Sequence, residues 1–208
     1  MARRQVEGRG VPVPYFVAVL DGKPDSRSGD SNKLMACMRR NLCWLCGEPL
    51  GVNRIFVVGP SSTMTQSSGE PPSHVECAQY AVMVCPFLLQ PGRPYRDEGK
   101  PIEVAHADGH MKRNPGVIAL WNTRKYSAIQ AGNGVLFRMG QPSSVAWWSQ
   151  GRPATRVEVS RALDETLPLI LMQAGNEKDV QNINGAYSRA LTYLPAAPAA
   201  NQENVCAQ

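Results

Sequence analysis

The sequence predicts an α+β fold, in which a zinc-binding half packs on a small antiparallel sheet and C-terminal helices cover one face. Two pairs of Cys and His residues between positions 43 and 77 predict a metal site. Short β-branched and aromatic runs, bounded by Gly, Pro and Asn, predict strands. Apolar residues at helical spacing follow in the last third. A chain of 208 residues suffices for one domain or a compact pair.

The first forty residues predict a strand and a helix after a flexible start. Residues 1–12 are charged and Gly-rich, so we expect a flexible N-terminus. Residues 15–20 are aromatic and β-branched and predict a buried strand, which ends at the Gly and Pro of a turn. We expect residues 26–31 to form a loop. Residues 32–42 carry apolar side chains at helical spacing, so an amphipathic helix leads into Cys43.

Residues 13–90 are predicted to form the zinc-binding α+β region. Residues 54–59 predict a strand. The Ser, Thr, Gly and Pro residues of 61–72 predict a loop that can contain one short strand. Ser73 and Glu76 have the spacing of a capping box, which predicts a helix that ends before Pro86.

A connecting loop is predicted over residues 91–115, which are rich in Gly, Pro and charge. Residues 116–194 are predicted to hold strands followed by helices. The strands at 116–121, 134–138 and 145–148 are expected to pair in sequence order as an antiparallel meander.

The C-terminal helices begin at a second capping box, formed by Thr155 and Glu158. Pro168 is expected to start or kink a separate short turn. Residues 176–194 carry an apolar stripe and predict a third helix. The Pro, Ala, Gln and Asn of residues 195–208 predict a disordered tail.

The predicted zinc ligands are Cys43, Cys46, His74 and Cys77. Cys-x-x-Cys-Gly suits a tight knuckle, in which backbone N–H groups approach the sulfurs. His-x-x-Cys suits the first turn of a helix, where residues three apart share a face. A knuckle, then a strand or hairpin, then a helix whose first turn supplies the last ligands is an order that resembles a treble-clef zinc finger. Because the protein fills all four positions, the Zn²⁺ is expected to be structural, with no catalytic residue assigned.

Other chemistry at these residues is less well supported by the sequence. Zinc deaminases place His-x-Glu before Pro-Cys-x-x-Cys, whereas the order here is reversed and Cys77 can fill the fourth position. Treble-clef nucleases use a catalytic His in the hairpin, and residues 51–70 contain none. The alternative enzyme is a metal-dependent hydrolase or nucleotide-processing enzyme that uses His106, Asp108 and His110. Gly109 and the Pro-rich flanks speak against the helix that this spacing requires.

The net charge of +5 favours acidic partners such as nucleic acid only mildly. A binding patch is predicted around one strand, because adjacent Trp side chains point to opposite faces and one is either exposed or covered by a helix. Its residues are Trp147, Trp148, Arg138, Arg152 and Arg156. The C-terminal helices also match a helix-turn-helix weakly.

The expected location is the cytoplasm. The apolar stretch at 11–20 is short and interrupted by prolines, so it matches no secretory signal, and no run of about 20 apolar residues predicts a membrane span. Thiols stay reduced in the cytoplasm, so the six cysteines indicate metal binding rather than disulfides.

Several motifs resemble those of an uncharacterised family found across bacterial genomes, prophages and phages. The landmarks are CWLCGEPLG at 43–51, PPSHVECA at 71–78, CPFL at 85–88, RNPG at 113–116 and GRPATR at 151–156. The resemblance implies a phage or prophage accessory protein and brings no established activity with it. We therefore expect a non-enzymatic protein that binds a host protein or nucleic acid, in host takeover or against host defence, and that can form homo-oligomers.

Overall fold

The computed structural model describes residues 12–94, 113–132 and 134–197. The predicted N-terminus (1–11), most of the connecting loop (95–112) and most of the tail (198–208) lie outside the described residues. The helices and strands, in chain order, are β1 (Val17–Leu20), β2 (Lys23–Gly29), α1 (Ser31–Arg40), β3 (Arg54–Val58), α2 (Pro60–Thr65), β4 (Ser67–Ser68), α3 (Val75–Val84), β5 (Ile118–Thr123), β6 (Tyr126–Ala131), β7 (Gly134–Met139), β8 (Pro142–Ser149), β9 (Arg152–Pro153), α4 (Arg156–Leu171) and α5 (Glu177–Leu191).

The described strands form antiparallel sheets, and the α+β class is confirmed. We call the sheet with strand order β3-β5-β8-β9 the long sheet and the sheet with order β4-β7-β6 the small sheet. The predicted meander is wrong. Strand β5 pairs with β3 and β8, whereas β7 pairs with β4 and β6. Strand β6 was not predicted because the apolar residues of its sequence, YSAIQA, do not alternate with polar ones.

The main core lies between the two sheets and the helices α2, α4 and α5. Trp121 of the long sheet and Phe137 of the small sheet are both fully buried in it. The Trp121 indole donates a hydrogen bond to Gly140 O at 3.0 Å and packs edge-on against Tyr193, beyond the end of α5. The C-terminal helices are therefore fixed to the sheets by buried aromatic side chains.

The N-terminal predictions need correction. Strand β1 is shorter than expected and is not buried throughout, because Val17 is 1% exposed but Val19 is 58% exposed. The predicted loop after it is also wrong, since residues Lys23–Gly29 form strand β2 and pair with β1. The polar sequence KPDSRSG gave no strand signal. Helix α1 is confirmed, and Asp30 caps it by accepting from the backbone N–H of Asn32 and Lys33.

Between β3 and α3, the first part of the predicted loop is a helix. Residues Pro60–Thr65 form α2, which starts with Pro at its first position, where a missing N–H costs nothing. A short strand, β4, follows at Ser67–Ser68, and Met64 of α2 is buried in the main core.

The two C-terminal helices agree with their predicted starts. Thr155 and Glu158 form the capping box of α4, and Asn176 caps α5. The prediction at Pro168 is wrong, because α4 continues through this residue to Leu171. Helix α5 packs against α4, and Tyr187 donates a hydrogen bond to the Asp164 carboxylate.

Candidate metal centre

The first pair of cysteines lies in a tight knuckle closed by backbone hydrogen bonds. Leu42 and Pro49 form an antiparallel bridge on either side of it. Within the knuckle, Cys43 N donates to Glu48 O at 2.8 Å and Gly47 N donates to Cys43 O at 2.7 Å. Gly47 has φ of +77°, a conformation that residues with a Cβ rarely adopt. The sequence Cys-x-x-Cys-Gly therefore places both thiols on one side of the turn.

The second pair lies where the chain passes from the long sheet into α3. Ser73 forms a bridge with Ile55 of β3, so its backbone is paired with the sheet edge. The prediction that Ser73 caps α3 is wrong: His74 occupies the N-cap position, and its side chain makes no capping hydrogen bond. Cys77 follows in the first turn of α3 and shares a face with His74.

The two pairs meet because the knuckle binds the segment that precedes α3. Trp44 N donates to Pro72 O at 3.1 Å, one residue after Cys43 and two residues before His74. One ligand atom from each predicted residue then lies within 4.8 Å of the others. All four predicted ligands, Cys43, Cys46, His74 and Cys77, are thus brought together, and this cluster could hold a metal ion.

The imidazole of His74 is oriented for metal binding by its second nitrogen. Nδ1 lies 3.3 Å from Cys46 Sγ and 3.9 Å from Cys77 Sγ, so it faces the cluster. Nε2 lies 3.0 Å from Pro49 O, a carbonyl that can only accept. Nε2 therefore carries the proton and Nδ1 is left free to bind a metal, as is usual for metal-binding histidines. The Pro49 carbonyl was not predicted, because nothing in the sequence indicates this contact.

The electrostatic environment favours a thiolate at Cys43. Its Sγ lies 3.4 Å from the backbone N atoms of both Cys46 and His74. The pKa of Cys43 is lowered to about 4, chiefly by a hydrogen bond from the Cys77 thiol and also by these N–H groups, whereas burial opposes the shift. The same hydrogen bond raises the pKa of Cys77. Burial raises the pKa of Cys46. A thiolate at Cys43 would present a negative charge to a bound cation.

The other described cysteines lie outside the cluster. Cys37 of α1 is buried beside Leu42 and Trp44, and burial raises its pKa to about 11. Cys85 follows the last residue of α3, two turns beyond Cys77. Cys37 is therefore a packed helical residue, whereas Cys85 lies just beyond its helix and is only partly buried. Cys206 lies outside the described residues.

The residues of the predicted binding patch differ in their exposure and in their partners. Trp147 is 4% exposed and its indole donates to Tyr193 O, so its ring is not on the surface. Trp148 packs against the apolar cluster between α3 and the long sheet. Arg152 binds the Glu158 carboxylate through both terminal nitrogens, and Arg156 donates to Pro195 O. Arg138 is exposed on β7 of the small sheet.

The residues of the alternative enzyme, His106, Asp108 and His110, lie outside the described residues. In the described ranges, no helix is long and apolar enough to cross a membrane. The chain matches no protein-family model, and no similar protein is found among curated proteins or solved structures.

Proposed function

We propose that this protein is a non-enzymatic binding protein whose cluster of Cys43, Cys46, His74 and Cys77 holds a structural Zn²⁺. Three thiols and one imidazole are a donor set that zinc prefers. With Zn–S bonds of about 2.3 Å, sulfurs at the corners of a tetrahedron lie about 3.8 Å apart. Ligand atoms that already lie within 4.8 Å of one another need only small movements to reach that geometry.

A structural role is proposed because protein atoms supply the whole coordination shell. Catalytic zinc sites keep a position for water or substrate, whereas structural sites have four protein ligands. His74 is held by the Pro49 carbonyl, and Cys43 accepts two backbone N–H groups, so the ligands have the supporting contacts of a fixed site. The zinc would join the knuckle, the edge of the long sheet and the start of α3, in a treble-clef-like arrangement.

The biological role is proposed to be binding of a host protein or nucleic acid in the bacterial cytoplasm. The sequence landmarks that resemble phage and prophage proteins support a role in host takeover or against host defence. The net charge of +5 is compatible with either class of partner. The observation that supports the proposal is the cluster of four protein donor atoms, because a metal with four protein ligands would serve the scaffold and recognition would then fall to the surface.

Two measurements test this proposal. Elemental analysis of the purified protein should give one zinc per chain, and absence of bound metal would reject the structural site. A pulldown from host cells, with and without nuclease, should recover a specific partner. A partner that survives nuclease treatment is a protein, and one that is lost with it is nucleic acid. Recovery of neither, from zinc-loaded folded protein, would reject the binding role.

A further inference from the structure

The positive charge of the chain is concentrated in one segment of its second half. Residues 113–157 contain six Arg or Lys residues and no Asp or Glu. That leaves 16 basic and 17 acidic residues in the rest of the chain. The basic excess of the protein therefore belongs to this segment, and four of its six cations lie in the strands β5 to β9 or the turns between them.

Some of these cationic side chains contact acceptor groups of the protein, and others do not. Arg152 is paired with Glu158, and Arg156 donates to the Pro195 carbonyl. Lys125 and Arg138 are exposed, and neither side chain forms an ion pair with another described residue. Their charges are therefore available to an external anion.

The small sheet places Lys125 and Arg138 on one surface. Phe137 and Met139 are buried, so Arg138 between them points to the opposite, solvent face of β7. Arg138 is paired in register with Ser127 of β6 and Ser67 of β4, which puts a serine on each side of the guanidinium. Lys125 and Arg138 line an open depression of about 340 Å³, together with Tyr126, Ser127, Met139 and Gly140.

A further cationic group lies beside this depression. The Arg54 guanidinium donates to Arg124 O at 2.8 Å and lies 5.8 Å from the centre of the Tyr126 ring. Arg124 is itself exposed. Residues 123–132 and 134–141, which form this end of the sheet, contain no carboxylate to neutralise the group. The result is a shallow surface with several cations and hydroxyl groups.

We propose that this face of the small sheet binds the phosphate backbone of a nucleic-acid duplex. Guanidinium, ammonium and hydroxyl groups are the side-chain donors that contact phosphates. Phe137 is fully buried, and the ring of Tyr126 packs edge-on against Phe56 with the Arg54 guanidinium 5.8 Å from its centre, so neither ring presents a free face for stacking on bases. A duplex, which presents phosphates outside and keeps its bases stacked, fits this surface better than a single strand. The inference rests on the proposed binding function and specifies its partner.

The test measures binding of a labelled DNA duplex of about 20 base pairs to the full-length zinc-loaded protein. Fluorescence anisotropy monitors the binding at salt concentrations between about 50 and 200 mM. The Lys125→Ala, Arg138→Ala double variant should raise Kd at least about tenfold at the lower salt and make the slope of log K against log salt shallower by about 1.8, the loss of two phosphate contacts. The matched control is Arg161→Ala with Lys178→Ala, which removes two exposed cations from α4 and α5.

The outcomes separate this surface from general electrostatic attraction. Wild-type binding that is lost in the first double variant and kept in the control supports the proposal. Equal weakening in both variants, no duplex binding by the wild type, or preference for a single strand of the same sequence overturns it. A nuclease-resistant protein partner in the pulldown, with no duplex binding, would overturn this inference and leave the proposed binding function intact. Metal content and melting temperature show that each variant is folded.

Discussion

Ser73 and Ile55 exchange both of their backbone hydrogen bonds, at 2.8 and 2.9 Å, so the chain enters the metal cluster directly from the edge of the long sheet. The next residue, His74, belongs to the candidate cluster and is also the N-cap of α3. Helix α3 in turn packs Ala78 and Val82 on the same sheet. The cluster therefore joins the knuckle to the core through backbone bonds on one side and apolar packing on the other.

Removal of metal should destabilise this junction more than the rest of the molecule. Structural zinc in small peptides provides about 10–16 kcal/mol of binding free energy, so even partial coupling here should cost about 5 kcal/mol and lower Tm by about 10–20 °C. Hydrogen exchange of chelator-treated protein should show lost protection in the knuckle and the first turn of α3. Helices α4 and α5, which pack in the main core, should stay protected, and uniform loss of protection would contradict a local role.

The two cysteines of the α3 segment provide a matched pair of variants. Cys77→Ser removes one of the four ligands, so the zinc content should fall well below one per chain and Tm should fall with it. Cys85→Ser changes the same atom two turns away, outside the cluster, and should keep the full zinc content. Metal analysis after dialysis against a weak chelator measures both. Zinc retained by the first variant and lost by the second would show that the ligand assignment is wrong.

Gly140 should not tolerate a side chain. A Cβ at this position would lie 2.4 Å from Lys125 O, which is backbone and cannot rotate away. Gly140 N also donates to Lys125 O, and Gly140 O accepts from the buried Trp121 indole. Gly140→Ala should therefore lower the free energy of unfolding by about 1–3 kcal/mol.

The control for this variant is Gly51→Ala, since no atom lies within 4 Å of the Cβ it would add. Urea unfolding of the two variants and the wild type gives the comparison. Gly51→Ala should stay within about 0.5 kcal/mol of the wild type. Equal stability of both variants would mean that the corner between β7 and β8 is not as closely packed as described.

The features that the sequence predicted correctly are those set by local spacing. The ligands within each pair of the cluster are three residues apart, and a knuckle or a first helical turn brings such residues together without help from the rest of the chain. The capping box of Thr155 and Glu158 is local in the same sense. Hydrophobic periodicity likewise located α1 and α5, which each bury one face.

The features that were missed depend on distant pairing. Ser73 has the spacing of a helix cap, but its backbone N–H and C=O are taken by Ile55, 18 positions earlier in the chain, and this pairing fixes where α3 starts. Strand order could not be predicted for the same reason, because Trp121 of β5 pairs with Phe56 of β3, 65 positions earlier in the chain. Strand β2 is polar and was missed because hydrophobic patterning is the main signal for strands.

The ion pair at the start of α4 should make stability depend on pH in a defined range. Arg152 binds the Glu158 carboxylate with two hydrogen bonds, of 3.0 and 2.6 Å, and this contact, followed by the Thr155 N–H, lowers the pKa of Glu158 from 4.5 to about 2. A lowered pKa means that the charged form stabilises the folded state. This contribution is complete above pH 4.5 and is lost as the pH falls towards 2.

Glu158→Gln isolates this contribution, because Gln can still accept from the Thr155 N–H at 2.7 Å but cannot titrate. The variant should be slightly less stable than the wild type at neutral pH, and the difference should shrink with added salt because the pair is solvent-exposed. Below pH 4.5 the free energies of unfolding of the two proteins should converge, because a protonated Glu158 no longer pairs with Arg152. Effects common to both proteins, including metal loss in acid, cancel in the difference between these free energies. Glu165→Gln, an exposed change on the same helix, should follow the wild type throughout. A wild-type advantage that persists unchanged towards pH 2 would exclude the ion pair as its source.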